Sequence, residues 1–242
     1  MIDATFFKQQ LWDFDSFNAL ESINISGGLF KDNNDALFLS LSKLYASSCK
    51  LNSITIDFQQ AHGLQKWFSC KPKGILRHLA ITSILFDYDK VALSHLANLT
   101  SFKLSLPDPP HLDCDIWAAF RQSGIRIEEL EVKYYAITDS LSDYLSSFPG
   151  LKKLRLSIPN FDSQAYSEAH AVKFWSTGLP NHIETLHNFS LYSNYEGQWC
   201  FDDHSCPLIA KCTKLVQLAV SVLPGGEANW VVCTFAYHEH IC

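Results

Sequence analysis

The chain has 242 residues, of which 47% are hydrophobic and 18% charged, and this composition excludes an intrinsically disordered protein. Its 25 acidic and 19 basic residues give a formal net charge of -6 without a long block of like charge, so no nucleic-acid-binding surface is indicated. No stretch reaches the roughly 18 apolar residues of a membrane span, and the first residues lack a secretory signal. We therefore expect an intracellular protein, cytoplasmic or nuclear, that contacts neither nucleic acid nor membrane.

In chain order, one short phrase recurs: an apolar residue, two variable residues, an apolar residue, one variable residue and a last apolar residue. The second and third apolar residues lie two apart, so they point to the same side of a short strand, and the first lies in the turn that enters it. The phrase recurs at intervals of 23 to 35 residues, about 28 on average. Its eight copies are Leu20-Ile23-Ile25, Leu51-Ile54-Ile56, Leu76-Leu79-Ile81, Leu99-Phe102-Leu104, Ile127-Leu130-Val132, Leu151-Leu154-Leu156, Leu186-Phe189-Leu191 and Leu215-Leu218-Val220.

Several stretches between the phrases have the apolar spacing of helices. They cover residues 36–45, 91–97, 116–120 and 141–148. Asp115, and either Thr138 or Asp139, stand where a short side chain can accept from the first free amides of a helix. Gly124 and the pair Pro149-Gly150 stand where two helices should end. Aromatic residues expected to pack from helices onto the strands are Trp117, Phe120, Phe174 and Trp175.

A single strand with one apolar face cannot bury that face alone, whereas parallel strands stacked side by side form a continuous core. The repeated strand and helix therefore predict an α/β leucine-rich-repeat solenoid of about eight irregular repeats, with strands on the concave face and helices on the convex face. We expect one domain over residues 1–242, with repeats over about 17–222. Residues 223–242 form a non-repeat tail, either a cap strand or the product of an incorrect gene model.

The alternative architecture is a doubly wound parallel sheet, which also alternates strands and helices. That fold normally has longer apolar strands and a glycine-rich first turn. Here the strands are short, and the early pair Gly27-Gly28 heads no phosphate-binding motif. The sequence therefore favours the solenoid.

The chain resembles the leucine-rich-repeat region of F-box-type and related ribonuclease-inhibitor-like proteins, especially the divergent versions of mushroom-forming fungi. The segments that carry the resemblance are FPGLKKLRLSIP at 148–159, HNFSLYSNYEGQWCF at 187–201 and CTKLVQLAVSV at 212–222. The resemblance implies a protein-interaction scaffold, the substrate-recognition part of a ubiquitin-ligase adaptor. Two features depart from the pattern: only Asn194 stands at the Asn position of the regular repeat, and the first forty residues show no F-box-like helical region.

The variable residues of the central phrases predict a binding surface on the concave face. Its expected members are Lys103, Glu131, Lys133, Lys153, Arg155 and Tyr192. Stacked strands lie ~4.8 Å apart, which places Glu131 between Lys103 and Arg155. Two interpretations follow, a solvated stripe of internally paired charges or a protein-binding patch anchored by arginine and tyrosine. We expect an unidentified protein partner, and a monomer or one subunit of a hetero-complex.

We predict no enzymatic activity, no cofactor and no metal. The tail residues Cys233, His238, His240 and Cys242, and the trio Cys200, His204 and Cys206, are of zinc-binding type but lack the spacing of paired knuckles. No nucleophile signature accompanies them. Four acidic pairs lie in predicted loops, where aspartate forms turns: Asp13/Asp15, Asp87/Asp89, Asp113/Asp115 and Asp202/Asp203.

Most cysteines are expected to be buried apolar residues.

Two other functions are alternatives to the scaffold. One is an α/β hydrolase-like enzyme with a single deep pocket holding nucleophile, base and orienter. The other is a gene fragment without function.

Overall fold

The computed structural model describes residues 2–3, 19–27, 35–58, 74–82, 90–106, 115–134, 136–158, 164–193, 197–222 and 231–236. The chain divides into two compact units, Met1–Arg126 and Ile127–Cys242. Parallel strands alternate with helices in both units, which confirms the α/β class. Within the ranges given above, no helix has the length and apolar character needed to cross a membrane.

The first unit is a parallel sheet whose strands pair in the order in which they occur in the chain. The strands are β1 (Ile2–Asp3), β2 (Ser22–Gly27), β3 (Ser53–Phe58), β4 (His78–Thr82) and β5 (Ser101–Leu106). The helices are α1 (Asp35–Ser47), between β2 and β3, α2 (Lys90–His95), between β4 and β5, and α3 (Ile116–Ser123), after β5.

The second unit repeats this alternation. Its elements are β6 (Glu129–Tyr134), α4 (Asp139–Ser146), β7 (Lys153–Ile158), α5 (Gln164–Lys173), a π-helical turn (Phe174–Gly178), a 3-10 turn (Pro180–His182), β8 (Asn188–Ser193), α6 (Cys206–Ile209), β9 (Gln217–Val222) and β10 (Val231–Ala236). Strands β6 to β9 are parallel, again in chain order. β10, which lies in the predicted tail, runs antiparallel to β9 and pairs with it along its whole length. An edge covered in this way offers fewer free backbone groups to other chains.

Each of the eight phrases coincides with one of the strands β2 to β9, as predicted. In seven of them both inner apolar residues are buried, and in the eighth Val220 is buried while Leu218 is half-buried. The strands therefore bury one side and expose the other, with the period of two that defines the phrase. Burial of a side chain such as Leu154, which is 0% exposed, contributes about 2 kcal/mol to folding.

A repeated hydrogen-bond pattern joins the residues that lead into neighbouring strands. One backbone carbonyl accepts from two consecutive amides at the entrance of the next strand, with N to O distances of 2.7 to 3.2 Å. The accepting carbonyls belong to Glu21, Asn52 and Arg77 in the first unit and to Glu128, Lys152 and His187 in the second. Since these backbone groups recur at the same place, successive strands enter each sheet in the same register.

The predicted helix ends are confirmed at α3 and only partly at α4. Asp115 accepts from the amides of Trp117 and Ala118 at 3.1 and 3.2 Å, and Gly124 ends α3 in the left-handed conformation at φ 68°. Thr138 occupies the cap position of α4 but makes no side-chain cap bond. That helix ends at Ser146, before the Pro149-Gly150 pair that was expected to stop it.

The predicted aromatic packing is confirmed in both units. In the first, the Phe102 ring lies 6.0 Å from Trp117 and 5.1 Å from Phe120, both on α3. In the second, Phe189 of β8 lies 6.4 Å from Phe174 and 6.0 Å from Trp175. These contacts attach the helical side of each unit to its strands.

Candidate functional site

The sheet of the second unit has one side that faces away from the helices, and we call it the open face. It consists of alternate residues of four strands: Glu129, Glu131, Lys133, Lys153, Arg155, Ser157, Asn188, Ser190, Tyr192 and Gln217. Five of the six predicted site residues lie on it. The sixth, Lys103, lies in the first unit, where β5 places it opposite Ala80 of β4.

The strand register brings the predicted residues into rows. Glu131 is opposite Arg155, and Arg155 is opposite Ser190. In the next row Glu129 is opposite Lys153. The predicted neighbourhood of Glu131 and Arg155 is thus confirmed, whereas a position of Glu131 beside Lys103 stays a prediction.

The carboxylate of Glu131 pairs along its own strand. Its Oε1 lies 3.1 Å from the Lys133 Nζ, and the two side chains are 20% and 28% exposed. Residues two apart on a strand share a face, so these two side chains can reach each other. On β6, this ion pair supports the interpretation of the face as a stripe of internally paired charges. It does not involve Lys153 or Arg155, the two cations of β7.

Arg155 is exposed, and its guanidinium lies over the ring of Tyr192 at 5.3 Å from the centroid. The two residues are diagonal neighbours, because Tyr192 is opposite Ser157 rather than Arg155. Diagonal positions of adjacent strands are within reach of long and aromatic side chains. Among the described residues, no carboxylate comes within ion-pair distance of Lys153 or Arg155.

The β8 and β9 part of the open face is uncharged. The Asn188 amide donates to Oε1 of Gln217 at 2.9 Å, which links the two strands on the surface. Ser190 is short, and its register partner Ala219 is buried. The open face is therefore divided into a charged half on β6 and β7 and a neutral polar half on β8 and β9.

Tyr134, at the end of β6, has a positive φ of 59° and is 41% exposed. A bulky residue in the left-handed region costs about 1 to 2 kcal/mol, so the local structure holds it there against strain. The sequence does not predict this conformation, since no pattern of residue types indicates a left-handed tyrosine. It adds an exposed aromatic ring beside Lys133 at the end of the strand.

His182 is a buried histidine that joins three segments on the helical side of the second unit. Its Nε2 donates to the Leu145 carbonyl at 3.0 Å, and its Nδ1 accepts from the Leu151 amide at 3.2 Å. Burial lowers the pKa of His182 to about 4, although the bond to the Leu145 carbonyl favours the charged form. The ring is neutral at pH 7 and has a structural role, which a lone histidine in the sequence did not reveal.

The acidic and metal-type residues that the structure describes have structural surroundings. The Asp202 carboxylate accepts from the amides of His204 and Ser205 and from the Ser205 hydroxyl at 2.9 to 3.0 Å. Burial alone would raise the pKa of Asp202, but these bonds and the charge of His204 outweigh it and lower that pKa. This is the predicted turn role.

Cys200 is buried, whereas His204 and Cys206 are exposed. Within the described ranges, no three Cys, His, Asp or Glu side chains converge as metal ligands. Of the tail residues, the side chain of Cys233 and all of His238, His240 and Cys242 lie outside the described part of the chain, as does Asn194. The expectation that most cysteines are buried holds for Cys200 and Cys212, while Cys49 and Cys206 are exposed.

A shallow groove of about 600 Å³ lies on the helical side of the first unit, between α2 and α3. Its lining includes Lys90, Asp115, Gln122 and Ser123, and no histidine. The Asp115 carboxylate is already occupied as the α3 cap. The groove therefore lacks the base and orienter that the hydrolase alternative requires.

Comparison with protein-family models, with curated proteins and with solved structures gives no match for this chain.

Proposed function

We propose that the chain is an irregular leucine-rich-repeat solenoid that binds a protein partner through the open face, as the substrate-recognition part of an F-box-type ubiquitin-ligase adaptor. The observation that carries the proposal is the open face itself. It combines a lysine with an arginine whose guanidinium lies over a tyrosine ring, and neither cation is paired to a carboxylate of the described residues. Arginine and tyrosine are, with tryptophan, the residue types enriched at the energetic centres of protein interfaces.

Two features support the solenoid over the doubly wound sheet. Within each unit, neighbouring strands follow chain order, without the reversal that creates a switch point in doubly wound folds. The carbonyl-to-two-amides pattern at the strand entrances also repeats from one strand to the next. Repetition of one local unit, each contacting its neighbours, is typical of solenoids.

The surroundings of His182 favour a structural role over a catalytic one. Both of its ring nitrogens contact backbone groups, those of Leu145 and Leu151. A general base needs a ring nitrogen directed at a reacting group, and neither nitrogen of His182 is left for one. These bonds instead join α4 to the segment that leads into β7.

The adaptor role depends on the resemblance of the repeats alone. It predicts that genomic sequence upstream of Met1 encodes an F-box-like helical module. If that sequence encodes no such module, the adaptor role fails and the binding surface stands by itself.

Affinity purification with the full chain as bait tests the binding surface. The bait is compared with the triple variant Lys153→Ala, Arg155→Ala, Tyr192→Ala, and with a matched control, Lys211→Ala, Lys214→Ala, Tyr166→Ala, whose residues are exposed outside the open face. We expect a partner recovered with the wild type and the control to be lost with the face variant. Equal recovery with all three baits would contradict the proposal.

A further inference from the structure

The cations of β7 point to the chemistry of the partner. Lys153 and Arg155 are two residues apart on one strand, both exposed on the open face. Glu131, the carboxylate opposite Arg155, is engaged by Lys133 at 3.1 Å. Glu129 is opposite Lys153, but their charged groups do not form an ion pair. The acidic groups nearest in register therefore leave both β7 cations available.

Arg155 is positioned by Tyr192 as a receptor for a planar anion. The ring lies under the guanidinium at 5.3 Å. A guanidinium that lies over an aromatic ring in a cation–π contact still offers N–H groups that match the two oxygens of a carboxylate. Because the contact with Tyr192 restricts the Arg155 side chain, binding an anion costs less conformational entropy than it would at a free arginine.

Beside Arg155, the open-face residues of the neighbouring strands β8 and β9 carry no charge that would repel an anion. The open face of β8 and β9 presents Asn188, Ser190, Tyr192 and Gln217, none of which is charged. The short Ser190 stands opposite Arg155 and leaves its edge accessible. The paired amides of Asn188 and Gln217 supply hydrogen-bonding groups suited to a peptide backbone.

The charge of this face differs in sign from that of the whole protein. The chain carries a formal net charge of -6. The open face carries two glutamates, Glu129 and Glu131, against the three cations Lys133, Lys153 and Arg155. The open face is therefore more favourable for an acidic ligand than the net charge of the protein would suggest.

We propose that the open face binds an extended acidic segment of a partner protein, in which one Asp or Glu carboxylate accepts from both arms of the Arg155 guanidinium, which Tyr192 holds in place. This inference rests on the proposed function, since it names the chemistry of the partner at the same surface. Lys153 supplies a second, longer-range attraction to the same segment.

The test is selection of nonapeptides from a random display library on the purified full chain, followed by fluorescence anisotropy of individual peptides. We expect Asp or Glu to be enriched at one fixed position. Replacement of that residue by its amide, and Arg155→Gln in the protein, should each weaken binding at least about tenfold, as expected when a charge-assisted two-point bond is lost. Affinity should also fall with rising salt. The matched control Lys211→Gln, at an exposed lysine outside the open face, should bind as the wild type does.

Charge reversal provides a second arm that does not depend on loss of binding. Selection on Arg155→Glu should enrich Lys or Arg at the same position. Peptides that need Tyr192 but show no acidic enrichment would overturn the inference and leave the proposed function standing. A library that yields no acidic peptide dependent on Arg155 also overturns the inference, whereas the affinity purification above judges the proposed function separately.

Discussion

The Leu151 amide donates to Nδ1 of His182 across 3.2 Å, and this bond fixes which ring nitrogen of the histidine carries the proton. The other nitrogen, Nε2, must then donate to the Leu145 carbonyl. Protonation of Nδ1 would place its N–H against the Leu151 N–H, two donors in contact in a buried position. The hydrogen bonds of His182 therefore make the free energy of unfolding depend on pH.

The pKa of His182 predicts destabilisation in mild acid. In the folded protein it lies at about 4, below the ordinary value of 6.5, so the unfolded chain takes up a proton first as the pH falls. The stability contributed by the neutral ring is complete above pH 6.5 and declines as the pH falls towards 4, by about 3 kcal/mol in total. Urea denaturation at a series of pH values measures this loss. His204→Ala, at an exposed histidine, should retain the decline, and a free energy of unfolding constant between pH 6.5 and 4.5 would contradict the assignment.

The two helix caps should respond differently to loss of their side-chain oxygen. Asp115→Ala removes an acceptor of two amide bonds and should lower the free energy of unfolding by about 1 kcal/mol. The buried Thr138 hydroxyl has no hydrogen-bond partner among the described residues, so Thr138→Val should be neutral or stabilising by about 1 kcal/mol. Thermal and chemical denaturation measure both. Destabilisation by Thr138→Val as large as that by Asp115→Ala would show that the hydroxyl is bonded after all.

Two tryptophans provide a matched test of buried against exposed hydrogen bonds. Trp199 is 1% exposed, and its Nε1 donates to the carbonyl and hydroxyl oxygens of Ser167, both at 3.1 Å. Trp199→Phe should cost about 2 kcal/mol, since water cannot replace the lost donor. Trp175 donates to the Gln198 carbonyl at 2.9 Å in an exposed position, so Trp175→Phe should cost less. Equal losses in denaturation experiments would contradict the burial of Trp199.

The contact between Arg155 and Tyr192 should be measurable without any partner. A double-mutant cycle with Arg155→Gln and Tyr192→Leu should give a coupling free energy of about 0.5 to 1 kcal/mol in denaturation experiments. Tyr192→Phe keeps the aromatic face and should keep most of the coupling. A coupling indistinguishable from zero in the Leu cycle would mean that the stack does not hold the guanidinium in place.

Sequence predicted the strands and the residues of the open face because both follow from a period of two. Leu154 and Leu156 identify the buried side of β7, and Lys153 and Arg155 between them are then assigned to the other side. The choice of ion-pair partner was not available from the phrase. It depends on side-chain rotamers, so the pairing of Glu131 with Lys133 along β6 appears only in the structure.

Features with no periodic signal escaped prediction. The left-handed Tyr134 and the buried His182 are single positions, fixed by the segments packed around them rather than by neighbours in the sequence. The end of α4 at Ser146 was also missed, since Pro149 and Gly150 indicate only that the helix cannot extend past them. Local sequence signals thus limit where an element can end, and tertiary contacts determine where it does end.

Site-specific photo-crosslinking tests the central claim, that the open face is where a partner protein binds. A benzophenone amino acid is placed at Ser190, on the open face, or at Ser176, which is exposed on the helical side. In cells that express the chain, we predict a discrete crosslinked partner with the probe at 190 and none with the probe at 176. Crosslinking of the same partner at 176 but not at 190 would contradict the account.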